Sequence, residues 1–148
     1  NPVIEATMPS SLDDTVAPKG KHVMSMFTQY FPYHLAPAAG SLEENKKRYA
    51  ERCIDLMTEY APNFRRSVLQ YQVLAPADLE AMLGLTGGNI MQGAMSLCSL
   101  WFMRPLPGYA DYRTPIQGLY LCGAATHPGG GVMGACGYNA ARQILKDS

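Results

Sequence analysis

The sequence predicts an α+β fold, and three observations carry that expectation. Residues 22–34 are dense in β-branched, aromatic and Met side chains. Residues 41–60 repeat apolar positions at helical spacing behind a capping signature. Residues 118–146 pass from an apolar strand through a glycine-rich turn into a helix.

Along the chain, Pro18-Lys19-Gly20-Lys21 is a turn signal, and Val23 to Phe31 follows as a strand. That strand is apolar on both faces, which predicts a central or covered position. Residues 35–40, with Pro37 and Gly40, form a loop. Ser41 with Glu44 three positions later makes a capping box. Tyr49, Cys53, Ile54, Met57 and Tyr60 then fall on one helical face, and Pro62 ends the helix. Glu43–Lys47 and Glu44–Arg48 are favourable i,i+4 pairs on the outer face, and the basic run 46–48 reads as solvated surface rather than a binding patch.

Residues 67–74 alternate, with Leu69, Tyr71 and Val73 on one face, and predict a half-buried strand. Pro76 opens a short helix with Asp78 and Glu80 in its first turn, stopped at Gly84. A short apolar helix is expected over 94–102, an irregular segment over 104–109, a strand over 119–123 and a last helix over 132–146.

The 148 residues, 47% hydrophobic, are enough for a real core. Twelve basic residues balance twelve acidic ones, which argues against a nucleic-acid partner. Only 16% of residues are charged, and they are uneven: sixteen fall in residues 1–74 and eight in residues 75–148. Glycine runs the other way, with twelve of fourteen at or after Gly84. The second half therefore reads as uncharged backbone that approaches something closely. Cys53, Cys98, Cys122 and Cys136 lack zinc-site spacing; no metal site is expected, and each reads as a buried thiol in a reduced, cytoplasmic setting. Residues 81–103 carry no charge, but Gly87-Gly88 would break a spanning helix, so no transmembrane segment is expected. Trp101 reads as core, and His22 and His34 as surface or edge residues.

The chemically informative stretch is Gly118 to Ala141. A helix studded with Gly134, Ala135, Gly137, Ala140 and Ala141 can lie close against a sheet or a flat ligand. The free N–H groups at its start favour negative charge. Gly129-Gly130-Gly131-Val132-Met133-Gly134 matches G-x-G-x-x-G literally. Only fourteen residues follow Gly134, too few for the second strand and acidic residue of a dinucleotide fingerprint. A tight turn before a closely packed helix remains the plain alternative.

The stretch Tyr120-Leu121-Cys122-Gly123-Ala124-Ala125-Thr126-His127-Pro128-Gly129-Gly130-Gly131-Val132-Met133-Gly134 resembles the C-terminal flavin motif of phytoene dehydrogenase-like FAD-dependent oxidoreductases. Residues 9–22, Ala75 to Glu80, Gly87-Gly88-Asn89-Ile90 with Gly93, and Arg104-Pro105 with Tyr112 to Pro115 share the likeness. The resemblance implies a flavoenzyme with a mixed-sheet substrate domain, here residues 1–83. Residues 84–148 would then be a C-terminal segment returning its strand and helix to a Rossmann-type FAD domain. That domain is otherwise missing, since no pyrophosphate-binding G-x-G-x-x-G precedes Gly84.

By position, the resemblance puts Gly123 and Ala124 near the ribityl-pyrophosphate and Gly130, Gly131 and Val132 at the pyrimidine edge of the flavin. This chain has Ala124 where many relatives carry an acidic residue. His127 is either flavin-proximal or a loop histidine. Asn89 and Met91 either line a substrate cavity or pack their loop. No catalytic side chain is assigned, because hydride transfer in this family relies mainly on the flavin.

The implied activity is hydride transfer from a hydrophobic substrate to FAD in a longer parent, which for the family includes mitochondrial proteins. The chain alone is expected to be inactive, to hold FAD weakly, to bind its missing N-terminal portion and to self-associate. The alternative is a non-catalytic interaction module that retains the fold.

Overall fold

The computed structural model describes residues 1–94 and 96–148. The chain divides into two compact units, Asn1–Asp78 and Leu79–Ser148.

In the first unit, β1 (Val3–Thr7) pairs antiparallel with β2 (Ser25–Gln29), Val3 opposite Gln29 and Thr7 opposite Ser25. Helix α1 (Leu42–Tyr60) begins as its capping box requires: Ser41 Oγ accepts from Glu44 N at 3.2 Å, and Ser41 N donates to Glu44 Oε2 at 2.9 Å. Its inner face buries Asn45, Ala50, Cys53, Ile54 and Leu56. Asn45 is satisfied there, donating through Nδ2 to Ala39 O and Ser41 O. Phe31 meets Tyr49 edge-on at 5.3 Å between ring centroids.

The short helix α2 (Phe64–Ser67) is tied to α1 by Arg65, which bridges Glu51 and Asp55. Helix α3 (Pro76–Leu83) starts with Asp78 accepting from Ala75 N at 2.7 Å. Asp78 also pairs with Lys46 at 2.9 Å, and Lys46 holds Glu43 at the same distance. The hydrogen bonds to Glu43 and Asp78 raise the Lys46 pKa, and Lys46 lowers that of Asp78.

The second unit is mostly turns, closing on helix α4 (Ala135–Asp147). An isolated antiparallel bridge joins Arg113 to Tyr120, flanked by Leu121 N donating to Tyr112 O at 2.8 Å. Its buried apolar side chains are Tyr112, Cys136 and Ala140.

Several expectations need correction. In place of a mixed sheet, the described residues form one two-stranded antiparallel sheet. β2 lies inside the expected 23–31 strand but is not covered; Val23, Phe27 and Tyr30 are exposed, since only β1 flanks it. β1 itself carries no distinctive sequence signal. Residues 68–75 stay irregular, because alternation chooses a face but a strand also needs a ladder partner, and none is present among the described residues.

The same lack reduces 119–123 to the single bridge at Tyr120. Within 94–102 the described residues form 3-10 turns at Leu97–Ser99 and, continuing to Met103, at Trp101–Met103; residue 95 lies outside the described set. α4 starts three residues later than 132, because Gly134 is left-handed at φ 66° and serves as N-cap. Cys98 and Cys122 are exposed, unlike Cys53 and Cys136, and Trp101 and Tyr60 are exposed as well. Glu43 pairs with Lys46 rather than Lys47, while Glu44 is engaged in the capping box.

Candidate functional site

The glycine-rich turn and the start of α4 enclose an open cavity of about 160 Å³. It is lined by Cys122 and Ala124, by Gly129, Gly130 and Gly131 of the turn, and by Met133 to Gly137 at the helix start. Seven of its ten lining residues are glycine or alanine. A Cβ on Gly130 would stand 3.4 Å from Ala124 Cβ and 3.7 Å from Ile90 O, in ordinary contact. Gly131 has φ 142°, a conformation that suits glycine, and a Cβ there would reach Met133 Cε at 2.9 Å.

The helix start has no side-chain cap. The first N–H groups of an α-helix have no intrahelical acceptor, and this holds for those of Ala135, Cys136 and Gly137, all of which line the cavity. Together with the helix dipole they favour an electron-rich group.

Four attachments fix this geometry. Thr126, 2% exposed, turns the chain by donating through its amide and hydroxyl to Gly123 O at 3.0 and 2.8 Å. Cys136 Sγ donates to Gly129 O at 3.3 Å, fastening the turn to the helix. Buried Tyr112 donates to His127 O at 2.7 Å and accepts from Asn139 Nδ2 at 2.9 Å. Tyr112 holds φ 72°, a conformation that costs a bulky side chain of order 1 kcal/mol and needs surrounding contacts to persist. Arg104, 3% exposed, donates from Nη2 to Met91 O and, at 2.7 Å, to Ala124 O.

The far end of α4 is tied separately. Arg113 grips Asp147 through Nε at 2.9 Å and Nη2 at 2.6 Å, and Tyr120 donates to Asp147 at 2.7 Å. Arg113 foremost, then Tyr120, holds the Asp147 carboxyl well below the usual carboxylate range. The same carboxylate raises the pKa values of Arg113 and Tyr120.

Of the residues singled out from sequence, Ala124, Gly130 and Gly131 line the cavity. Gly123 and His127 lie on the same turn outside its lining: Gly123 O receives Thr126, and His127 Nδ1 is buried without a partner. Val132 is fully exposed. Asn89 closes its own loop, donating to Gly93 O at 2.9 Å and accepting from Met91 N at 2.8 Å. Met91 offers its carbonyl to Arg104. Sequence reasoning did not give Arg104, Tyr112, Thr126 or Asn139 a place at the site. Arg104 did carry a signal: it is the lone charged residue between Glu80 and Asp111. Among the described residues no cluster of three or more His, Cys, Asp or Glu side chains could hold a metal ion. No helix among them is long and apolar enough to cross a membrane.

Several proteins similar to this chain carry oxidoreductase names. Over 146 residues, 99% of the chain, it is 56% identical to pyridine nucleotide-disulfide oxidoreductase domain-containing protein 2 of Rattus norvegicus, covering 25% of that protein. One of the limonene dehydrogenase subunits of Castellaniella defragrans is 31% identical over 95% of the chain and 26% of its own length. Phytoene desaturase (lycopene-forming) of a Paracoccus species is 31% identical over 87% of the chain and 25% of its own length. Over nearly its whole length the chain is similar to part of pyridine nucleotide-disulfide oxidoreductase domain-containing protein 2 and, more weakly, to part of the dehydrogenase and desaturase. It spans about a quarter of the length of these relatives. No protein-family model matches it, and no solved structure does.

Proposed function

We propose that the chain is the C-terminal part of an FAD-dependent oxidoreductase of the dehydrogenase or desaturase type. Residues 1–83 would contribute to its substrate domain and residues 84–148 would return to its FAD domain. The observation that carries this reading is the glycine-walled cavity closed by an uncapped helix start. It is too small for a whole dinucleotide and suited to one edge of a flat, electron-rich ring.

FAD, when bound, supplies the hydride acceptor. The chain's own part is to receive and polarise it. Gly130 and Gly131 keep the wall free of side chains, and the N–H groups of Ala135, Cys136 and Gly137 offer preorganised donors for charge that grows on reduction. Ala124 cannot ligate a ribityl hydroxyl through its side chain, so any contact there runs through its backbone. The names of two relatives carry phytoene and limonene, both apolar hydrocarbons, which supports a hydrophobic substrate. Exposed Val132, Met133, Tyr138, Leu119 and Leu121 support a cover supplied by the rest of the protein.

The test is the full-length protein purified with its absorbance spectrum recorded, beside Gly130→Ala. The added methyl meets Ala124 Cβ without overlap, so folding should be unaffected while the cavity narrows. The wild type should be yellow, and Gly130→Ala should bind FAD at least about tenfold more weakly at unchanged stability, roughly 1.4 kcal/mol. A colourless wild type that takes up no added FAD would refute the reading and favour a docking module.

A further inference from the structure

We infer that Arg104 is a positioning residue of this cavity. Its buried guanidinium joins the 89–93 loop to the Ala124 wall and leaves a positive charge behind the cradle that a bound anionic group completes. The inference rests on the flavin reading for the identity of that group, but its geometry stands apart from it.

Arginine stays protonated in proteins, so a guanidinium 3% exposed is a buried cation. Buried cations are ordinarily paired with a carboxylate. Arg104 pairs with none among the described residues; its partners are two carbonyl oxygens, Met91 O and Ala124 O. Its Nε–H is buried with no acceptor. Carbonyl dipoles offset part of the desolvation cost and leave the net charge in place.

That charge lies directly behind the cavity. A Cβ on Gly129 would stand 3.8 Å from both Arg104 Cζ and Nε, and Gly129 and Ala124 are both cavity wall. The α4 N-terminus, whose first residues line the cavity, adds its partial positive charge. Two positive sources facing one small cavity, with no acidic side chain in its lining, favour a group that is anionic or becomes so, as the pyrimidine edge of a flavin does on reduction. Arg104 thus acts on two levels: it sets the spacing of Ala124 and the 89–93 loop, and it biases the bound ring toward its reduced form.

The two levels separate in Arg104→Lys and Arg104→Met, made in the full-length protein. Lys keeps the charge on an ammonium one bond short of Nη2; Met keeps the bulk and loses the charge. Hydrogen exchange should accelerate at least tenfold in both 89–93 and 123–131 for Met, and to a lesser degree for Lys. In the flavin-loaded protein, Met should lower the preference for reduced over oxidised FAD about tenfold, or about 30 mV for a two-electron couple, while Lys should leave it within twofold. If Met does not fold, Arg104→Gln, neutral and still able to donate to a carbonyl, takes its place with the same expected tenfold loss, and Lys remains the charge-retaining control.

A purely structural arginine would alter exchange and leave the potential unmoved in Met, or move Lys and Met alike, and either result overturns the charge role. Unchanged exchange in both loops overturns the positioning role. A wild type without flavin refutes the flavin reading alone, and the exchange result still judges Arg104.

Discussion

Tyr112→Phe removes one oxygen from the bond system that seats the glycine turn on α4. The hydroxyl donates to His127 O at 2.7 Å and accepts from Asn139 Nδ2 at 2.9 Å, and Tyr112 is 7% exposed. Each hydrogen bond is worth about 1 kcal/mol net, and a buried group left without a partner adds a penalty of about 1–3 kcal/mol. Asn139 is half-buried and can turn to water, so the main penalty falls on His127 O. The Asn139 bond at about 1 kcal/mol and the His127 O penalty of about 1–3 kcal/mol together predict a loss of about 2–4 kcal/mol. Equilibrium urea unfolding of the wild type, Tyr112→Phe, Asn139→Ala and the double variant measures it. Contacting residues should show a coupling energy of about 1 kcal/mol. A Tyr112→Phe cost below about 0.5 kcal/mol, with additive double-variant behaviour, would refute the idea that this hydroxyl holds the turn.

Ser41→Ala should destabilise the first unit by about 1 kcal/mol through loss of the α1 cap, read from the same urea midpoints. Asp147, whose pKa is depressed first by Arg113 and then by Tyr120, stabilises the fold only while ionised. Its contribution is therefore fully present above the ordinary carboxylate value of 3.8 and declines as pH falls from there toward the depressed one. Asp147→Asn should flatten the stability–pH curve in that acid range and lower stability at neutral pH, measured by thermal melts across pH.

What could be read from sequence divides along the line between local and non-local causes. α1, with Ser41, Glu44 and its apolar face, and α3, with Pro76 and Asp78, are specified by residues within a turn of where they act, and both formed near the expected bounds. The glycine turn was legible for the same reason. The strands were not, because pairing depends on a partner elsewhere: β1 is unremarkable alone, while residues 67–74 carry good alternation and find no ladder. The exposure of Trp101, Cys98 and Cys122 shows the same limit, since residue type sets a preference for burial and only the fold supplies the cover.

The site follows that division too. Its wall is local, Cys122, Ala124, Gly129 to Gly131 and Met133 to Gly137, and was visible as composition. Its fixings are not: Arg104 reaches Ala124 twenty residues on, and Tyr112 reaches Asn139 twenty-seven on. The scarcity of charge after residue 75 fits the proposed function. A cavity proposed to work through backbone N–H groups and one buried guanidinium would have no use for acidic side chains, which would neutralise the field it presents. Arg104, alone between Glu80 and Asp111, is thus informative because it is isolated. In a segment otherwise free of charge, one arginine that the fold buries without a carboxylate partner among the described residues is the charge that, on the inference above, an anion in the neighbouring cavity would compensate.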